Sequence, residues 1–399
     1  MIVRLQRSRP VVITALGIAQ ILGWGTSFYF PAVLAAPIVQ DTGWPLGWVV
    51  GGVSIGLMVG GLVSPRVGDI IARIGGRPVL AASSVLFAAG LGLIGLAPWL
   101  QLYLFGWVVV GLAMGAGLYD AAFAALGQVY GREARGPITN LTLFGGFAST
   151  VCWPLSAFLE QAFGWRETCL IYAALHLAVA LPLQLVLPAG MQGEESMRTA
   201  AEPHDGSARP VPNERLIFVL IAALLTIAAG VGSIIVVHLL AFLQARGADY
   251  ATAVTIGTLF GPAQVGARVI ERLFGRHYHP IWTMAATCVL MAVGLVLLGG
   301  NLAVPALAVV LYAAGYGISW VARGTLPLAL FGPQRYPSLM GRLAFPSLVV
   351  QALAPAAGAW LIERAGIDAT IKVLILFAML NVGLIAMLLI VARRTRATA

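Results

Sequence analysis

The chain has 399 residues, of which 60% are hydrophobic and 10% charged, where soluble domains carry about half and a quarter. That composition excludes a water-soluble globule. The formal net charge of +9 would suit a nucleic-acid partner only if it gathered in one patch; here it is scattered as arginines between apolar runs, so no nucleic acid is expected.

A hydrocarbon core of about 30 Å takes roughly 20 apolar residues per helix. Apolar runs fall near 11–38, 46–66, 78–97, 100–128, 138–162, 167–188, 216–243, 250–268, 280–300, 304–329, 343–362 and 370–392. They are long and unbroken, without the short alternating segments of a transmembrane barrel. The expected fold class is therefore an all-α polytopic membrane protein of 12 transmembrane helices. The first run follows Arg4, Arg7 and Arg9 as a signal peptide would, but it is too long for a cleavable apolar region. The acidic, Pro-bearing stretch 189–214 separates six runs from six. It predicts a bundle over 1–188, a disordered cytoplasmic linker over 189–214 and a second bundle over 215–399.

With the N-terminus inside, nineteen of the 24 basic residues fall in cytoplasmic segments, Arg268, Arg272 and Arg276 among them, and four (Arg166, Arg246, Arg364, Lys372) in outer loops. The positive-inside rule then puts both termini in the cytoplasm. Cys152, Cys169 and Cys288 lie on different runs without metal-ligand spacing, and are read as buried free thiols.

Weak repetition recurs at one offset, as an ancient duplication would leave it. Arg73-Ile-Gly-Gly-Arg77 lines up with Arg272-Leu-Phe-Gly-Arg276, Gly115-x-Gly117 with Gly315-x-Gly317, and Gly164-Trp-Arg-Glu-Thr168 with Gly366-Ile-Asp-Ala-Thr370. The stretch Gly68-Asp69-Ile-Ile-Ala-Arg73-Ile-Gly-Gly76-Arg77 resembles the loop signature of the major facilitator superfamily between helices 2 and 3. The resemblance implies two pseudo-symmetric six-helix bundles, a central cavity lined by helices 1, 4, 7 and 10, and alternating access. Ala72 stands where that family has an Asp before the Arg, and Asp69 lies one turn earlier on the same face. Gly68, Asp69, Arg73, Gly76, Arg77, Arg272 and Arg276 are then expected to act as a cytoplasmic latch.

Ser27-Phe-Tyr-Phe-Pro31, Asp41-x-Gly-Trp44 and Gly47-Trp48 are similar to the monocarboxylate and oxalate/formate porters. The Lys and Arg with which those porters hold an anion match Ala32 and Gln264 here, neither of which is charged. The drug/proton antiporter pattern fits no better: Trp107 stands in place of its helix-4 Arg, and Gly145 to Pro154 lacks its helix-5 motif.

Ionisable groups inside a membrane mark pathways or pairs. Asp120 in the fourth run and Arg323 in the tenth qualify. They are candidates for a proton-coupling carboxylate and an anion-attracting cation, or else for a gate between them. His238 is a further proton candidate, and His176 a weaker one because the sixth helix packs outside the cavity. Gln20, Trp24, Tyr29, Tyr119, Trp153, Gln264, Tyr316, Trp320 and Gln351 are the candidate cavity residues. No Walker loop or enzyme signature is present in the sequence. The expectation is a monomeric, proton-coupled secondary transporter of the inner membrane, without cofactor. Its partners would be the lipid bilayer, protons and a small organic solute, with an organic anion favoured by Arg323. A drug or metalloid extruder, or a non-transporting membrane sensor on the same fold, are the alternatives.

Overall fold

The computed structural model describes residues 8–188, 213–300 and 304–397, so the expected linker lies outside the described residues except for its last two positions. Among these residues every regular element is helical. In chain order they are α1 (Arg9–Gly25), α2 (Pro31–Thr42), α3 (Leu46–Ile74), α4 (Gly76–Gly95), α5 (Leu100–Gly117), α6 (Tyr119–Tyr130), α7 (Arg135–Gly146), α8 (Ala148–Phe163), α9 (Trp165–Leu175), a π-turn (His176–Ala180) and α10 (Leu181–Leu185). Then come α11 (Glu214–Ala245), α12 (Tyr250–Thr258), α13 (Phe260–Phe274), α14 (Pro280–Gly299), α15 (Pro305–Phe331) and α16 (Tyr336–Ala397).

Eight helical runs are long and apolar enough to cross a membrane; two of them, Leu100–Phe163 and Tyr336–Arg393, have 64 and 58 residues. At 1.5 Å per residue each of those two is more than long enough for two crossings. They reverse at Gly131 (φ 54°) and at Gly366 (φ 82°). The first and eighth spans are each broken into two helices, α1/α2 and α12/α13. The twelve crossings are thus present among the described residues. Apolar runs mark the oil, whereas helices continue beyond it: α3 extends past 66 to Ile74, α13 past 268 to Phe274, and α16 begins at Tyr336 rather than 343.

Contacts divide the chain into two compact units, Met1–His204 with Gly332–Ala352, and Asp205–Phe331 with Leu353–Ala399. In the first unit α3 and α5 meet through two facing Gly-x-x-x-Gly motifs. A Cβ on Gly111 would stand 2.7 Å from Gly56 O, and one on Gly115 2.8 Å from Gly60 O. Helices in lipid gain no hydrophobic force from each other, so such backbone approach supplies the packing. The second unit repeats the device: a Cβ on Gly317 would stand 2.6 Å from Gln264 O, and one on Gly294 2.6 Å from Tyr312 N.

These contacts correct the register of the repeat. Gly115 faces α3 while Gly315 faces Met291 of α14, so the 200-residue match pairs different surfaces; the counterpart of Gly115 by its neighbours is Gly317. The match of Gly164 with Gly366 holds in detail. Their φ/ψ are 89°/169° and 82°/169°, and each carbonyl accepts from a Thr hydroxyl four residues on, Thr168 at 2.7 Å and Thr370 at 2.8 Å. An ion pair recurs beside each turn with its charges exchanged. Arg166 faces Asp41 at 3.6 Å and Arg246 faces Asp368 at 2.9 Å. Each arginine also donates to a carbonyl at the C-terminal end of a helix, Arg166 to Gly95 at 3.2 Å and Arg246 to Leu298 at 3.0 Å, where the helix dipole favours a cation.

If position and not identity is what the duplication kept, Arg246→Asp alone should lower the melting temperature. Adding Asp368→Arg should restore most of the loss, within the 1 kcal/mol or so that an exposed pair supplies. A thermal melt of the two variants in detergent checks it; equal loss in both would refute the equivalence. Gly111→Ala, which places a methyl against a backbone oxygen, should destabilise by about 1–3 kcal/mol, read as a fall in the midpoint of the same melt.

Candidate functional site

Within the first unit the irregular backbone gathers around the first span. Pro31 lacks an N–H, and the helix ahead of it opens over Thr26 to Phe30. Tyr29 N reaches back five residues to Trp24 O at 3.1 Å, and Phe30 N three residues to Ser27 O at 3.2 Å. Two hydroxyls cover carbonyls of the preceding turn: Thr26 Oγ1 donates to Leu22 O at 2.8 Å and Ser27 Oγ to Gly23 O at 2.5 Å.

The other breaks of this unit meet that one. The fourth span is interrupted at Leu118 (ψ −169°), and Gln20 Nε2 donates to the carbonyl of Gly117 there at 2.7 Å. Trp24 and Tyr119 lie 5.1 Å apart between ring centroids. The Tyr119 hydroxyl packs into the place of a side chain at Gly145, just ahead of the break at Phe147. Cys152 fills the same role at Gly25. Tyr29 meets Trp153 edge-on at 6.1 Å, and Trp153 remains largely exposed. Gln20, Trp24, Tyr29, Tyr119 and Trp153 are therefore one cluster. Non-helical backbone at membrane depth is tolerated where it is buried in protein or lines a cavity, which makes this convergence a site candidate. Gln20 Oε1 is buried with no donor among the described residues.

Asp120 occupies the first turn of α6, where the positive end of the helix dipole faces its carboxylate. It shares a crevice with Ser64, Gly68, Ile71, Gly115 and Gly341 that offers about 10 Å³ to water, room for about one molecule. Gly68 and Gly341 are in backbone contact: a Cβ on Gly68 would stand 2.6 Å from Pro337 O and 3.1 Å from Gly341 Cα, and one on Gly341 would strike Ser64 O. Tyr336 packs its ring on Gly127 of α6. The segment 336–352, with Gln351 buried in it, thus belongs by packing to the first unit. The close contact at this point is made by glycines. Arg73 is exposed and Asp69 and Arg77 are half-buried, whereas Gly76 is packed on Ala125. A larger recess of about 430 Å³, lined by Asp41, Glu160, Arg166 and Glu167, lies where α2 meets α8 and α9.

In the second unit the residue that sequence reasoning missed is Arg268. The sequence reading counts it among the charges of a cytoplasmic segment and not among the site residues; it is buried within α13, donating from Nε to Gly317 O at 3.0 Å and from a terminal nitrogen to Gln264 Oε1 at 3.4 Å. Glu271, one turn on, is also buried and accepts from Tyr278 at 2.8 Å and Thr283 at 2.9 Å. The small residues Gly266 and Ala267 beside apolar Val265 and Val269 were the available signal. Arg272 and Arg276 are exposed. Arg323 is buried on α15 with its guanidinium 5.5 Å from the Trp320 ring. Trp320 in turn lies 6.2 Å from Tyr316. His238 donates from Nε2 to Pro355 O at 3.1 Å, since a carbonyl can only accept, and so ties α11 to the later part of α16.

Comparisons with known proteins agree on the fold. A sequence model of the Major Facilitator Superfamily matches residues 13–326. No curated protein matches the sequence. Among solved structures, the human organic anion transporter MFSD10 aligns with a TM-score of 0.72 at 15% identity, covering 95% of this chain and 99% of that one. The proton:xylose symporter XylE aligns at 0.70 and 14% identity over 94% of each chain. The E. coli fucose:proton symporter FucP aligns at 0.67 and 16% identity, over 94% of this chain and 99% of that one.

Gly341→Leu should force segment 336–352 off α3, because no rotamer removes its Cβ from Ser64 O. The measurement is labelling of Ser64→Cys by a charged thiol reagent, which should accelerate severalfold in the Gly341→Leu background. Unchanged labelling would mean that the glycine contact does not hold the segment in place.

Proposed function

Because the chain belongs to the Major Facilitator Superfamily, we propose that it is a proton-coupled secondary transporter carrying a small organic anion across the inner membrane. It works as a monomer with both ends in the cytoplasm. The observation that carries the coupling is the crevice in which Asp120 meets the Gly68–Gly341 contact. A proton on Asp120 turns an acceptor into a donor against the surface where 336–352 docks. Proton occupancy and docking then bias one another, as two ligands of a two-state element must. Alternating access uses that bias: docking shuts one side, and release opens it.

Two buried guanidiniums in one unit support an anion as the solute. A charge deep in the membrane costs about 3 kcal/mol on insertion scales, so Arg268 and Arg323 are expensive to keep for packing alone. Arg323 continues the column of Tyr316 and Trp320 on α15, which offers a cation beside an apolar face, as a carboxylate with a compact apolar body requires. The buried Arg268 stands one turn beyond Gln264, the position matched to the anion-holding Arg of the monocarboxylate porters. MFSD10 is described as an organic anion transporter, and XylE and FucP as proton symporters; these descriptions accord with the reading.

Proteoliposomes under a pH gradient, offered radiolabelled lactate, pyruvate and benzoate, test it. Asp120→Asn should lose gradient-driven accumulation while keeping counterflow exchange, and full retention of driven uptake would end the coupling proposal. Arg323→Gln should raise KM roughly ten- to a hundredfold, the worth of a hydrogen bond to a charged group. An unaltered KM would remove Arg323 from the binding site.

A further inference from the structure

The sixth span holds a buried histidine that the transport reading does not use. His176 is 1% exposed and opens the π-turn His176–Ala180. That turn lies just ahead of Pro182, whose missing N–H prevents a regular helical bond there. Its Nε2 lies 2.8 Å from Thr26 Oγ1, and Thr26 Oγ1 lies 2.8 Å from Leu22 O. The carbonyl can only accept, so the hydroxyl hydrogen points at Leu22 and Nε2 must carry the hydrogen that points at Thr26. The ring is stacked on Phe87 of α4 at 4.6 Å and 17°, and Nδ1 has no partner among the described residues. Leaving a buried acceptor unmet costs stability. The cost is accepted at the residue where the widened turn of one span touches the opening of another.

We infer that His176 is a positioning residue: from the π-turn of the sixth span it holds, through Thr26, the break in the first span, and with it the register of Gln20 and Trp24 against Gly117 and Tyr119. It acts by geometry and not by charge. What faces the ring is Thr26 from the first span and Phe87 from α4. Of the titratable side chains on the adjoining α8 and α9, Cys152 and Tyr172 are engaged with Ile21 O and with Ser156, Arg166 pairs with Asp41, Cys169 is a buried thiol, and Glu160 and Glu167 line the recess beside Asp41. No carboxylate or cation is among its contacts in the described residues. An α-helical sixth span would present position 176 differently, which is why the widened turn and the histidine belong together.

Cys152 is a built-in reporter, since its thiol lies against Gly25 and donates to Ile21 O at 3.6 Å. In full-length protein carrying Cys169→Ala and Cys288→Ala, the rate of Cys152 labelling by N-ethylmaleimide at one pH follows the opening of the break. His176→Leu should speed labelling roughly two- to tenfold, the worth of one buried hydrogen bond, and Thr26→Val, which also removes the bond to Leu22 O, by at least as much. The double variant should be no faster than Thr26→Val alone. His176→Gln, which keeps an N–H near the Nε2 position, should label within about twofold of the parent. The proposal is overturned if His176→Leu labels at the parental rate, if His176→Gln is as fast as His176→Leu, or if the two single effects multiply. Should His176→Leu not purify as a folded protein, His176→Ala takes its place, and parental labelling in the near-isosteric Thr26→Val equally overturns the proposal. No transported solute is needed, so the outcome is separate from the fate of the transport proposal.

Discussion

A carbonyl released from its helix inside hydrocarbon has no water to turn to, and another donor in the chain must meet it. This constraint accounts for the placement of several buried polar side chains around the first span. Gln20 reaches Gly117 O where the fourth span is interrupted, and Thr26 and Ser27 cover the turn before the opening of the first. Around the first span these polar residues mark where regular helix fails. Irregular backbone is stable only next to such donors, so the breaks of several spans collect at one place instead of being scattered.

The second constraint is how close helices come. Facing glycines bring the backbones of α3 and α5 into contact, and the same helix α3 meets segment 336–352 at Gly68 and Gly341. Contacts of this kind lack interdigitating side chains, so their strength comes from area and fit, and sliding or release does not require rotamers to unlock. The second contact also takes in Gly61, which packs on Phe345 O and Leu348, and it differs from the first in having the carboxylate of Asp120 beside it.

Fold class and number of crossings were legible because burial in lipid writes long apolar runs into the sequence. The turn at Gly164 and Gly366 was legible because a positive φ followed by a Thr four residues on leaves a short readable pattern. Helix ends were not, since α3, α13 and α16 extend past the apolar runs on charged residues that a hydropathy reading assigns to loops. Arg268 was lost for that reason: polarity was taken to mean exposure, and burial here is secured by Gly317 O and Gln264 rather than by apolar character. Gln20, Trp24 and Tyr119 stand out in the sequence as polar and aromatic residues on apolar runs, whereas their meeting at the breaks does not show there. The π-turn left no trace beyond Pro182.

The corrected register has a consequence for how the two units divide the work. Gly115 against Gly60 corresponds to Gly317 against Gln264, with a Cβ-to-oxygen approach of 2.8 Å in one and 2.6 Å in the other. One turn further along the partner helix, the equivalent positions hold Ser64 and Arg268. In the first unit Ser64 is small, bonds back to Gly60 O at 2.6 Å, and leaves the crevice in which Asp120 and Gly341 meet. In the second unit the same place is filled by a guanidinium bound to α15. A serine there admits a docking backbone and a titratable carboxylate, whereas an arginine excludes both and supplies positive charge. The two positions are equivalent by their neighbours and differ in side-chain size and charge, so that one leaves a crevice beside a carboxylate and the other sets a buried guanidinium against α15.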